Sequence, residues 1–293
     1  MKRNSGKPAV FKSPEKSGGV SFIARKGNGP DVVFLHGIGS NAASFQPLFE
    51  SLPENLNLVA WNAPGYLGSE PLEEPWPLAE DYAYALARML DGLDLSSVHL
   101  VGHSLGTLIA ASFARLFPDR VRGLVLASAA CGHGVPRGGE MPQKVRARID
   151  DLHRLGPEAF ARARAANLVH RPEANEAIVA RVEAAMATVN PGGYEQAVRL
   201  LASGDLCGDL KHVPVRPGFI IGAEDRVTPL DPTNAAAAAW EAAHGRRPTV
   251  KRIEGAGHAV YLQKPGEFCA ALSELLSFES AASLEMSQSH GRN

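Results

Sequence analysis

The chain has 293 residues, 45% hydrophobic and 21% charged, the balance of an ordinary globular protein, which argues against a disordered or a fibrous class. Thirty Lys and Arg stand against 31 Asp and Glu, a formal charge of -1, so bulk electrostatics favours neither nucleic acid nor an anionic membrane surface and points to a small neutral or weakly charged ligand. Three scattered cysteines, Cys131, Cys207 and Cys269, signal neither a disulfide framework nor a zinc site, and with no secretory leader and no apolar run long enough to span a membrane the expected location is cytoplasmic.

In chain order, residues 1 to about 19 are basic and rich in Ser, Gly and Pro without apolar periodicity, and are predicted to be a flexible tail, as is the Ser-rich end from 279 to 293. Between them short runs rich in Val, Ile and Leu recur at 31–35, 56–61, 98–101, 123–126, 218–221 and 249–253. Most stay apolar without strict alternation, as strands buried on both faces of a parallel sheet must. Helical spacing of apolar residues appears between several of them, at 79–90 and 105–116. Strand-helix alternation predicts a doubly wound, mostly parallel α/β sheet over 20–130 and 206–278. The alternation breaks over 131–205, where helical patterns carry no strand signal. Such an insertion is predicted to be a helical lid beside the strand ends where ligands bind in these sheets.

The strongest local signal is Gly102-His103-Ser104-Leu105-Gly106, set between the strand pattern at 98–101 and a helical pattern. A serine hydroxyl is a weak nucleophile. A sharp strand-to-helix turn projects it from the backbone, and the following amide and helix N-terminus face the negative charge that develops on attack. Flanking glycines suit so tight a turn. A chance pentapeptide or a serine N-cap is the plainer reading, and the strand before and helix after weigh against it. Such a nucleophile needs a base and oxyanion donors. His36-Gly37-Ile38-Gly39 follows an early strand, where the Ile38 N–H can pair with that of Leu105 to hold an oxyanion, although a Gly-rich turn can also be merely a turn. Glu224-Asp225 follows the 218–221 strand, and His258 lies in a Gly-rich loop after the 249–253 strand. The order Ser, Asp, His is the one this architecture requires, with Asp225 preferred over Glu224 because adjacent loop side chains diverge. A helix-capping Asp225 and a solvated His258 are the alternatives.

These four motifs together resemble the α/β-hydrolase superfamily, specifically its small esterases, enol-lactonases and C–C bond hydrolases, over about residues 20–277. The resemblance implies a serine hydrolase that cleaves a small-molecule carboxylic ester or lactone through an acyl-enzyme on Ser104, with His258 as base and Asp225 orienting it, and with no cofactor and no metal. The segment 60–69 looks like the D-x-P-G-x-G-x-S loop of these proteins, with Asn62 where Asp is usual and Leu67 before Gly68. An aspartate at the elbow would suggest epoxide or haloalkane chemistry, and serine stands there. Thr107 after Gly106 and Ala259 after His258 weaken the likeness to C–C hydrolases of ring-cleavage products. That reaction, cofactor-free oxidation or perhydrolysis, and a poorly catalytic ligand-binding member are the alternatives. His36, Gly37, His103 and Ala259, beside the motif residues, are candidates for substrate contact. On the helical block so are Cys131, His133, Arg137, Met141, Tyr194, Gln196 and Arg199, although polar residues on helices mostly face water. An arginine turned into the pocket would favour a substrate carboxylate.

Overall fold

A computed structural model describes residues 14–277. The predicted C-terminal tail lies outside them, and only 14–19 of the predicted N-terminal tail fall within. Those residues are not a tail. Glu15–Ser17 forms a first strand, β1, paired antiparallel with β2 (Val20–Arg25) across a turn at Gly18 and Gly19, both at positive φ. The correction has a physical reason: an exposed edge strand is held by backbone hydrogen bonds to its neighbour, so it needs none of the apolar periodicity by which strands are read from sequence.

The apolar runs become β3 (Asp31–Leu35), β4 (Asn57–Trp61), β5 (Val98–His103), β6 (Val121–Ala127), β7 (Pro217–Gly222) and β8 (Thr249–Ile253). One eight-stranded sheet results, in the order β1-β2-β4-β3-β5-β6-β7-β8. The pairs β1–β2 and β2–β4 are antiparallel and all others parallel. Central strands are mostly apolar because helices cover both faces; Val32, Val33, Phe34 and Leu35 are fully buried, whereas edge strand β8 buries only Ile253.

The helices are α1 (Gln46–Ser51), α2 (Ala79–Asp91), α3 (Leu105–Leu116), α4 (Gln143–Arg164), α5 (Glu176–Met186), α6 (Pro191–Ser203), α7 (Leu206–Leu210), α8 (Leu230–His244), α9 (Val260–Gln263) and α10 (Pro265–Leu276). Among the described residues none is long and apolar enough to cross a membrane. The Cys131 thiol donates to the Pro232 carbonyl at 3.3 Å, and all three cysteines are free.

Two features of topology position the site. From β3 the chain runs outward to β4 and then crosses back to β5 on the other side of β3, so the sheet order switches at β3 and β5, where such sheets open a crevice. Register does the rest: Leu35 lies opposite Gly102, His103 opposite Ala127, Ala127 opposite Ile220, and Gly222 opposite Ile253. The loops after β3, β5, β6, β7 and β8 therefore meet along one edge. Between β6 and β7 the chain adds α4 to α7. The two ends of this segment are pinned by a bridge between Gly132 and Asp205 and by hydrogen bonds from Leu206 N–H to the Cys131 carbonyl and from Gly134 N–H to the Gly204 carbonyl, each 3.0 Å.

Candidate active site

Ser104 stands at the junction of β5 and α3 with φ 52° and ψ -117°. That backbone conformation costs an L-residue on the order of 1–3 kcal/mol and persists only where the surroundings impose it. Here the Ser104 N–H donates to the Ala127 carbonyl at 2.9 Å, and the Ser104 carbonyl accepts from Thr107 N–H at 3.0 Å and from the Thr107 hydroxyl at 2.6 Å. Both flanking glycines are required by close approach. A Cβ on Gly102 would strike the Gly106 carbonyl, and one on Gly106 would strike that of Leu35. Because α3 begins at Leu105, the Leu105 N–H has no intrahelical acceptor and the positive end of the helix lies beside the serine. Gly37, in the loop after β3, packs on the Ser104 Cβ, and Ile38 next to it lines the same cavity as Ser104 and Leu105.

The His258 ring reaches this cavity from the loop after β8, and its Nδ1 lies 2.9 Å from Asp225 Oδ2. Both residues are buried. Asp225 Oδ1 accepts from the N–H groups of Val227 and Thr228, each at 2.9 Å, and the Thr228 hydroxyl lies 2.9 Å from Oδ2. Burial acts to raise the Asp225 pKa; the His258 imidazole and these donors outweigh it and hold the carboxyl at about 2. Adjacent Glu224 turns away, its Oε2 accepting from Ala256 N–H at 3.0 Å. No hydrogen bond joins the Ser104 hydroxyl to the His258 ring among the described residues; the two groups share a cavity wall. That cavity measures about 410 Å³ and runs from the strand ends to α4, α5 and α6, with Tyr194, Cys131 and His133 also lining it. A volume of this order suits a small organic molecule.

Other sequence candidates fall elsewhere. His36 Nε2 accepts from Ala63 N–H at 3.0 Å and Nδ1 lies 2.8 Å from the Gly37 carbonyl, so both ring nitrogens serve the backbone; burial lowers its pKa to about 4. His103 Nε2 donates to the His258 carbonyl at 2.9 Å, and burial together with the nearby His258 lowers its pKa to about 3. It braces the loop that carries His258, against Tyr261, whose ring centroid is 4.8 Å away. Gly37, His103 and Ala259 border a small second hollow behind Ser104 and His258. Three residues of the helical block are corrected. Arg137 pairs with Glu74 and Asp81, Arg199 donates to the Pro75 carbonyl and pairs with Glu195, and Met141 shares with Arg199 a surface groove at Trp76. None of the three lines the Ser104 cavity: Arg137 and Met141 lie in the loop before α4, and Arg199 turns outward on α6. Gln196 is buried and donates to the Leu72 and Glu74 carbonyls.

Sequence reasoning passed over Thr228, Tyr261, Arg148, Arg164 and Asn167. Thr228 carried a signal, since Asp followed by Thr three residues on is the pattern of a side chain that closes its own turn. The last three line the cavity; nothing in helical periodicity singles out Arg148 and Arg164 among the other arginines of α4, and Asn167 lies just past its end.

The model of the alpha/beta hydrolase family matches residues 32–272. A poly(3-hydroxyalkanoate) depolymerase of Ectopseudomonas oleovorans is 37% identical over 101 residues, 34% of this chain and about a third (35%) of its own length. A pimeloyl-[acyl-carrier protein] methyl ester esterase of Chromobacterium violaceum is 28% identical over 260 residues, 87% of this chain and 97% of that protein. Among solved structures a thermophilic esterase from Thermogutta terrifontis, 20% identical, superposes with a TM-score of 0.77 over 92% of this chain and 97% of its own, a likeness of fold. With its sheet, its elbow serine and this match over most of its length, the chain belongs to the alpha/beta hydrolase family.

Proposed function

We propose that the protein hydrolyses a small-molecule carboxylic ester or lactone through an acyl-enzyme on Ser104. The observation that carries this reading is the strained Ser104 on the wall of one cavity with a His258–Asp225 pair 2.9 Å apart. With Nδ1 donating to Asp225, the other His258 nitrogen, Nε2, is free to accept a proton. Ser104 Oγ attacks the carbonyl carbon as its proton passes to Nε2. The carbonyl oxygen becomes an oxyanion held by the Ile38 and Leu105 amides, which need no reorganisation because the turn and helix fix them. As the tetrahedral intermediate collapses, His258 returns the proton to the leaving alkoxide. Water, deprotonated by the same imidazole, then releases the acid from Ser104. Asp225 keeps the proton on Nδ1 and stabilises the imidazolium without taking the proton itself. The block 131–205 serves as a lid that shapes the acyl or alcohol site. Ester-hydrolysing relatives support the reaction class, and the three free cysteines suit a reducing, cytoplasmic setting.

Ser104→Ala is expected to lower kcat for p-nitrophenyl butyrate by roughly 10⁴- to 10⁶-fold, and Asp225→Asn by about 10⁴-fold, without unfolding the chain. A fluorophosphonate probe is expected to label the wild type and not Ser104→Ala. Undiminished turnover by the alanine variant removes Ser104 as nucleophile.

A further inference from the structure

Two arginines, Arg148 and Arg164, line the Ser104 cavity, and no Asp or Glu is among its lining residues. Both belong to α4, which is not one straight helix. Gly156, at φ 73° and ψ 162° and followed by Pro157, breaks it in two. In an unbroken helix rising about 1.5 Å per residue these positions would stand about 24 Å apart, too far to share a small cavity. The break folds the second half back, as the 3.7 Å approach of Arg164 Nη1 to Asp151 Oδ2 shows. The kink thus brings two cationic heads to one wall.

Neither charge meets a carboxylate on the cavity wall, and the one ion pair of Arg164 among the described residues, to Asp151, is long. Asp151 is the carboxylate nearest Arg164, and it is already held at 2.6 Å by Arg154. Arg148 has no carboxylate within 4 Å among the described residues, and it shares the cavity wall with the buried Tyr194. The Arg164 guanidinium lies 5.0 Å over the Phe160 ring, which steadies it without cancelling its charge. Burial and the Arg148 charge both lower the Arg164 pKa, as expected of like charges drawn together in a partly dry wall. Asn167, close by on the same wall, adds an amide donor. Two planar guanidiniums and an amide on a wall that carries no carboxylate make a receptor for an oxyanion, and guanidinium forks match a carboxylate in two-point geometry.

Resting on the ester-hydrolase reading, we infer that the substrate carries a second, ionised carboxylate remote from the scissile carbonyl, and that Arg148 and Arg164 hold it. The substrates would be half-esters of dicarboxylic acids or carboxylate-bearing lactones.

The test compares the mono-p-nitrophenyl ester of a dicarboxylic acid with the p-nitrophenyl ester of the monocarboxylic acid of equal chain length. The wild type is expected to favour the acidic ester in kcat/KM. Arg148→Gln and Arg164→Gln are each expected to reduce that preference on the order of 10- to 100-fold, the contribution of one charge-assisted hydrogen bond. Arg148→Lys and Arg164→Lys, which keep the charge, are expected to retain part of it, and circular dichroism shows whether each variant folds. A wild type indifferent to the carboxylate, or a preference that survives both Gln variants, overturns the inference. So does a stronger preference for a phosphonate-bearing ester. Turnover of neither ester overturns the hydrolase reading instead. The arginine site is then judged by calorimetric binding of the dicarboxylic acid to Ser104→Ala, expected to weaken by a similar factor in each Gln variant; equal binding in all of them overturns the site.

Discussion

At the scale of single residues, the buried histidines make a prediction that does not depend on the substrate. His36 and His103 are held neutral inside the protein, with pKa values lowered mainly by burial to about 4 and about 3. An unfolded chain returns each to about 6.5. Between those limits the unfolded state binds more protons than the folded one, so stability rises with pH there. Their contribution is complete above about pH 6.5 and is lost as pH falls through 4 and then 3. Asp225, held at about 2, extends the loss below the ordinary carboxylate range. Urea midpoints are therefore expected to fall steadily from pH 6.5 to 4, and His36→Asn, which keeps one donor and one acceptor, is expected to flatten part of that slope. A midpoint independent of pH across this range would contradict the neutral, buried assignment. The sequence marked both histidines as candidates for substrate contact. It could not tell a histidine facing a ligand from one whose nitrogens serve the backbone, because that depends on Ala63 and His258, far away in the chain.

At the scale of elements, the loop after β4 shows why Asn62 stands where Asp is usual in similar proteins. Its Oδ1 accepts from Ala42 N–H at 2.9 Å, and its Nδ2 donates to Ser21 Oγ at 2.9 Å. The Ser21 hydroxyl gives its own proton to the Leu67 carbonyl. Having done so, it can only accept, and an amide supplies the donor that a carboxylate lacks. Ser69 completes the knot, donating to the Asn62 carbonyl at 2.7 Å and accepting from Ser21 N–H at 2.8 Å. Asn62→Asp is expected to destabilise the fold by about 1–3 kcal/mol, the cost of a buried polar group left without its partner; unchanged urea unfolding would show that the Asn62–Ser21 bond carries no weight. The departure was visible in the sequence and its reason was not, since Ser21 lies on β2, a strand that the apolar runs did not reveal. Only Val20, Ser21 and Phe22 of that strand are buried, too short a pattern for alternation to register.

On the scale of the whole molecule, the helical block and the sheet are joined at the edge that carries Ser104 and His258. Ala259 N–H donates to the Leu168 carbonyl at 2.9 Å, and the Gln263 amide binds both backbone groups of His170 as well as Gly257 N–H. The loop that carries His258 is thereby held by the segment that also carries Arg164. At the opposite rim the Gln196 amide clips α6 to the Leu72 and Glu74 carbonyls at 2.7 and 2.9 Å. Removing two hydrogen bonds worth about 1 kcal/mol each is enough to loosen one helix without unfolding a domain of this size. Gln196→Ala is expected to speed amide exchange in α6 and to raise KM more than it lowers kcat. Unaltered exchange over 191–203 would mean that the clip is incidental.

The sequence by itself determined the alternating α/β architecture, the elbow around Ser104, and the order in which Asp225 and His258 follow it. These are local facts: an apolar run buried on both sides and a turn too tight for side chains are written in consecutive residues. What tertiary structure alone decided is which polar groups meet. Asp225 rather than Glu224 faces His258, Arg148 and Arg164 rather than Arg137 and Arg199 line the cavity, and the three residues before Gly18 and Gly19 become a sheet edge. Each of these depends on a kink, a register or a partner distant in the chain, and helical or strand periodicity carries no record of it.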